Sequence, residues 1–126
     1  MRKLNVKSTN YGHMEPNGEV CFYAHNFIEI DGVSWGYHRP DEGDTLGTVE
    51  CPDPYCNDSY TVATFNINDA QYEDMVQFIV KKAKQPKDYH FMVNNCVLFV
   101  LDVLDHIGVP HKKPLLPFPF FLECVI

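Results

Sequence analysis

The stretch "VNNCVLFVLDVLDHIGVP" sets a cysteine, Cys96, behind two asparagines and ahead of a long apolar run. The pattern predicts a helix with Asn95 as N-cap and Cys96 as its first residue, stopping at Gly108 with Pro110 just beyond. A helix N-terminus carries about half a positive charge and N–H groups without helical partners. Both favour a thiolate, so the Cys96 thiol is expected below the ordinary value of ~8.5. The Cys96 N–H also suits a developing oxyanion. Asn94 and His90 are candidates for a second donor, and Asn95 supports the same helix end. The chemistry this suggests is attack of the thiolate on an amide carbonyl to give a thioester. A base would protonate the leaving amine and then activate water. The competing reading is a buried structural thiol, a common fate of cysteine.

The base must come from the elements around that helix, and "AHNFIEIDGVSWGYH" offers one. Asp31-Gly32 is a two-residue hairpin signal. With those two residues as the loop, Ile30 opposes Val33, Glu29 opposes Ser34, Ile28 opposes Trp35, and His25 opposes His38. Directly opposed residues share a sheet face. His25 is therefore expected to serve as the base, with His38 orienting it and supporting the imidazolium. Tyr37 or Glu29 would take the third role in a shifted register. His13, in the turn-like "YGHMEP", is a rival base, and His90 suits a structural role better than a catalytic one.

The surrounding elements follow from patterning. "EVCFYAHNFIEI" (Glu19 to Ile30), "VSWGYH" (Val33 to His38) and "YTVATFNI" (Tyr60 to Ile67) read as strands. Residues 40 to 59 read as a long loop. It holds the C-x4-C pair Cys51 and Cys56, a weak zinc signal without a second pair; the aspartate between them, Asp53, is expected to be solvated. Asn68 as N-cap and Gln71 three residues later form a capping-box variant, with Ile67 and Tyr72 as the flanking staple. Tyr72, Met75, Val76, Ile79 and Ala83 recur at helical spacing. Lys81, Lys82 and Lys84 crowd the end of that helix, where its dipole favours cations, and Pro86 stops it. The Cys96 helix is apolar on nearly all sides, as a central helix must be. The Pro-broken tail is expected to pack across the domain in extended form. Antiparallel strands with helices on one side make an α+β domain.

Two segments also resemble a known family. "AHNFIEIDGVSWGYH" resembles the His-strand-turn-strand-His unit of NlpC/P60-like papain-fold cysteine peptidases. "NNCVLFVLDVLDHIG" resembles their nucleophile helix. The histidines precede the cysteine, which is similar to the circularly permuted branch of bacterial amidase-type effector toxins and lecithin:retinol-acyltransferase-like enzymes. The resemblance spans roughly residues 19 to 110. It implies a papain-like fold with Cys96 as nucleophile, His25 as base and His38 as third polar residue, and neither cofactor nor metal. It further implies a peptide or peptidoglycan amide as substrate, an immunity protein as partner, and delivery by a dedicated secretion machine. The acyltransferase relatives carry acidic and His residues right after the cysteine, where this chain has Val97 and Leu98. That favours the amide reading over a thiol acyltransferase or lipid hydrolase, for which the tail residues Phe118, Phe120 and Phe121 would line an apolar groove. A non-catalytic binding module on the same scaffold is the third expectation.

Composition sets the outer bounds. The 126 residues suit a single domain, 1–126, large enough to bury a core without disulfides or metal. A net charge of −7 with no basic stripe argues against nucleic acid. No stretch approaches the ~18–20 apolar residues of a membrane span. "MRKLNVKSTN" is basic without an apolar h-region, and "ECVI" is not a prenylation box. The expectation is synthesis in the cytoplasm without a Sec signal, with the five cysteines reduced.

Overall fold

The computed structural model describes residues 1–9, 13–14, 20–21, 25–38, 46–54, 59–85, 87–88 and 95–111. Its strands are β1 (Arg2–Ser8), β2 (His13–Met14), β3 (Val20–Cys21), β4 (Asn26–Ile30), β5 (Val33–His38), β6 (Thr48–Glu50) and β7 (Tyr60–Ile67). The helices are α1 (Asp69–Lys84) and α2 (Cys96–His106). Five strands form one antiparallel sheet in the order β6-β5-β4-β1-β7, and β2 pairs with β3 separately. The architecture is α+β, as expected.

The β4–β5 hairpin has the register read from the sequence: Ile30 opposes Val33, Glu29 opposes Ser34 and Ile28 opposes Trp35. Its turn works because Asp31 and Gly32 both adopt positive φ, 51° and 82°. That is the twist a two-residue loop needs between right-twisted strands. Two expectations about the strands need correction, and a further strand joins the sheet. The segment from Glu19 to Ile30 is not one strand, because β3 ends at Cys21 and β4 starts at Asn26. The N-terminal segment forms β1, in the sheet between β4 and β7. Its alternation of buried Leu4, Val6 and Ser8 with more exposed neighbours is a half-buried strand pattern. The long loop also contains a strand, β6, which extends the sheet beside β5.

Alternation divides the sheet into two faces. Leu4, Val6, Ile28, Ile30, Tyr37 and Ile67 join the helices in one apolar core. From α1 that core takes Met75 and Ile79; Tyr72 and Val76 pack at its edge, while Ala83 is exposed. From α2 it takes residues on nearly every side: Cys96, Val97, Phe99, Val100, Leu101, Val103 and Leu104. Both helices start as the sequence predicts. The Asn68 side chain accepts from Gln71 N–H at 2.8 Å, and Gln71 Oε1 accepts from Asn68 N–H at 2.9 Å. The Asn95 side chain accepts from Leu98 N–H at 2.9 Å. Past the end of α2, Gly108 takes φ 73°, the left-handed geometry that stops a helix.

Side-chain contacts fix which way α2 runs. Arg2 bridges Asp31 of the hairpin turn (2.6 Å) and Asp69 at the start of α1 (3.2 Å). Gln71 Nε2 donates to the Ile107 carbonyl at 3.0 Å, bringing the end of α2 to the same place. Eleven residues of helix rise ~16 Å. Cys96 therefore opens α2 at the other end, where β4 begins and β5 finishes. Phe99, one turn into α2, stacks on Tyr37 at 6.1 Å between ring centroids.

Candidate active site

His25 and His38 come together as the register requires. Their ring centroids are 4.3 Å apart. His25 lies just before β4, with its N–H bonded to Thr9 Oγ1 (2.8 Å) and its carbonyl accepting from Thr9 N–H (2.9 Å). His38 is the last residue of β5. Both rings lie on the Phe27 and Gly36 side of the hairpin, away from α1 and α2.

The residue that joins them is Asp53. Its Oδ2 lies 2.8 Å from Nε2 of His25 and 2.8 Å from Nε2 of His38. Its side chain is fully buried. This corrects the expectation that the aspartate between Cys51 and Cys56 is solvated. Segment 51–54 crosses the face of β5, and the Asp53 N–H donates to Ser34 Oγ at 2.8 Å. The carboxylate then lies directly over Gly36. A Cβ at that position would overlap Asp53 Oδ2 and come within 3.1 Å of His25 Nε2. Glycine inside the strand is what allows this approach. Glu50 stands farther off, 3.9 Å from His38 Nε2.

The charge state follows from these contacts. Burial pushes the Asp53 carboxyl upward and is the largest single influence, but the hydrogen bonds from His25 and His38 outweigh it. The net result lies below the ordinary carboxylate value. An ionised carboxylate offers only lone pairs, so both Nε2 atoms carry the hydrogen. In a neutral ring that leaves Nδ1 as the acceptor. Asp53 thereby sets the tautomer of His25, the third role the sequence reading gave to His38. His38 binds the same oxygen and helps hold the carboxylate.

Cys96 is where the helix pattern put it: first in α2, immediately after the buried N-cap Asn95 and itself almost fully buried. It lies at the same end of the sheet as the histidines, but on the helix side of the strands. Tyr37 belongs to the core face, where its hydroxyl donates to the Lys87 carbonyl at 3.1 Å. Glu29 accepts from Asn5 at 3.3 Å, away from the histidines. Cys51 is exposed. His13 lies in β2, while Asn94, His90, Cys56, Pro86 and the tail with Phe118, Phe120 and Phe121 fall outside the described residues.

A family model described as the Lnb N-terminal periplasmic domain matches residues 55–120, just over half of the chain. The chain belongs to the Lnb N-terminal periplasmic domain family. The matched segment carries β7, α1, α2 and Cys96. No curated protein and no solved structure matches the chain. The Lnb domain description overturns the expected cytoplasmic location without an export signal and points to a periplasmic or secreted protein. Among the described residues, Cys51 and Cys96 are free thiols. Among the described residues, no helix is long and apolar enough to cross a membrane.

Proposed function

We propose that this domain is a cysteine hydrolase of the papain-like, permuted NlpC/P60 type, cleaving an amide or peptide bond of bacterial peptidoglycan. The observation that carries the proposal is the buried bond between Asp53 Oδ2 and His25 Nε2. It leaves Nδ1 of His25 as a base whose imidazolium the carboxylate supports. Cys96 supplies the nucleophile at a capped helix N-terminus, where the dipole favours the thiolate.

In this mechanism His25 Nδ1 takes the Cys96 proton, and the thiolate adds to the carbonyl carbon. The Cys96 N–H stabilises the resulting oxyanion. His25 returns the proton to the leaving amine, the C–N bond breaks, and a thioester remains on Cys96. His25 then deprotonates water, which attacks the thioester and releases the acid. Peptidoglycan is a periplasmic polymer, which supports this substrate class.

The test incubates the purified chain and its Cys96→Ser variant with muropeptides and, separately, with phospholipids. Amide cleavage in the first arm that disappears with Cys96→Ser supports the proposal. Cleavage or acyl transfer confined to the lipid arm would replace it with the acyltransferase or lipid hydrolase reading. Activity that survives Cys96→Ser would refute a thiol mechanism.

A further inference from the structure

Two histidine nitrogens and one carboxylate oxygen, all within 4.8 Å of one another, converge from three chain segments. We propose that His25, His38 and Asp53 form a binding site for one zinc-like divalent cation, and that its occupation switches His25 out of base catalysis. Metal binding does not depend on the hydrolase reading; the switching consequence does.

The donor set carries the first half. Imidazole nitrogen and carboxylate oxygen are the ligands zinc prefers when sulfur is absent, and three protein ligands leave a fourth position for water. Bond lengths of ~2.0–2.2 Å in a tetrahedral site put neighbouring donors ~3.3 Å apart. The two Nε2–Oδ2 separations are 2.8 Å and the three donor atoms all lie within 4.8 Å of one another, so each imidazole–carboxylate pair opens by about half an ångström and the two imidazoles adjust to the same ~3.3 Å spacing. The site is also built to hold its donors. Ser34 anchors the Asp53 backbone, Thr9 anchors that of His25, and Gly36 gives the carboxylate its place. An anionic oxygen facing two imidazoles in a buried site attracts a cation more strongly than the same groups in water.

The second half is proton arithmetic. Zn²⁺ takes the lone pair of each Nε2, and each neutral ring moves its hydrogen from Nε2 to Nδ1. No proton leaves the protein. The Nδ1 of His25 then carries hydrogen and cannot accept the thiol proton. Metal and base catalysis therefore exclude one another at this ring.

The experiment titrates metal-stripped full-length chain with Zn²⁺ alone, by calorimetry and by ¹⁵N NMR of the histidine rings. One equivalent should bind, moving the Nε2 signals of both His25 and His38. Asp53→Asn and His38→Gln should each weaken binding ~100-fold or more, while Cys51→Ser and Cys96→Ser bind like the wild type. The wild-type NMR shifts decide the matter even where a variant fails to fold. Absence of binding to the wild type, shifts confined to other histidines, undiminished binding by folded Asp53→Asn, or loss of binding in Cys96→Ser would each overturn the site. If Zn²⁺ binds but leaves any measured hydrolysis unaffected, the switching half is overturned.

Discussion

Asp53→Asn is the substitution that most cleanly separates this site from an ordinary buried polar cluster. One carboxylate oxygen accepts two N–H groups at 2.8 Å each. Hydrogen bonds to a charged partner contribute ~1.5–3 kcal/mol apiece. Asparagine keeps one oxygen but sets an NH₂ group where the other acceptor lone pairs were. With its amide oxygen in the place of Oδ2, both histidine contacts survive only as weaker, neutral hydrogen bonds, and the negative charge is lost. The expected loss of stability is ~2–4 kcal/mol near neutral pH, measured by urea unfolding. The pH dependence has a definite sign. The Asp53 carboxyl lies below its ordinary value in the folded protein. Its contribution is therefore present above the unfolded carboxylate value of ~3.9 and fades as pH falls through the lower folded value. The gap between wild type and Asp53→Asn should narrow in acid. Hydrolysis of muropeptides should fall ~10²–10⁴-fold in folded Asp53→Asn, because a neutral amide no longer supports the His25 imidazolium. Wild-type stability at neutral pH, or a stability gap that widens in acid, would refute the reasoning about the carboxylate.

Two other substitutions test the parts that position the cluster. Gly36→Ala places a methyl group on Asp53 Oδ2. It should cost ~1–3 kcal/mol as overpacking and depress hydrolysis along with stability; melting at the wild-type temperature would contradict the close approach. Leu104→Ala removes a fully buried side chain from the core around α2. It should cost ~2–5 kcal/mol in urea unfolding, and a loss under about 1 kcal/mol would show α2 to be less central than described.

Much of this geometry was legible in the chain because local chemistry and tertiary demand agree. Asp31-Gly32 can supply two consecutive positive φ values, so the turn, the register and the meeting of His25 with His38 follow together. Asn68 with Gln71, and Asn95 with the apolar run behind it, mark helix starts by donors that must be satisfied. Asp53 is different. It lies among prolines and cysteines with no periodicity, and a long-range contact, not a local rule, buries it. The signal that pointed to it was Gly36, a glycine inside a strand and two residues before His38 on the same face. Such a glycine marks the close approach of another segment. β6 escaped notice because three residues carry too little pattern. β1 alternates over seven residues but opens a chain whose first residues invite a targeting reading. The compartment is not legible in these residues, because a basic stretch without an apolar core speaks only to one export route.

The central claim is that Cys96 is an activated thiol coupled to His25, and the pH profile of its alkylation tests this without knowledge of the substrate. Wild type and His25→Ala are treated with iodoacetamide across neutral and acid pH, with each cysteine followed by peptide mass. The account predicts a Cys96 midpoint clearly below ~8.5 that rises when His25 is removed. A Cys96 midpoint at or above that value, the same with and without His25, would contradict it.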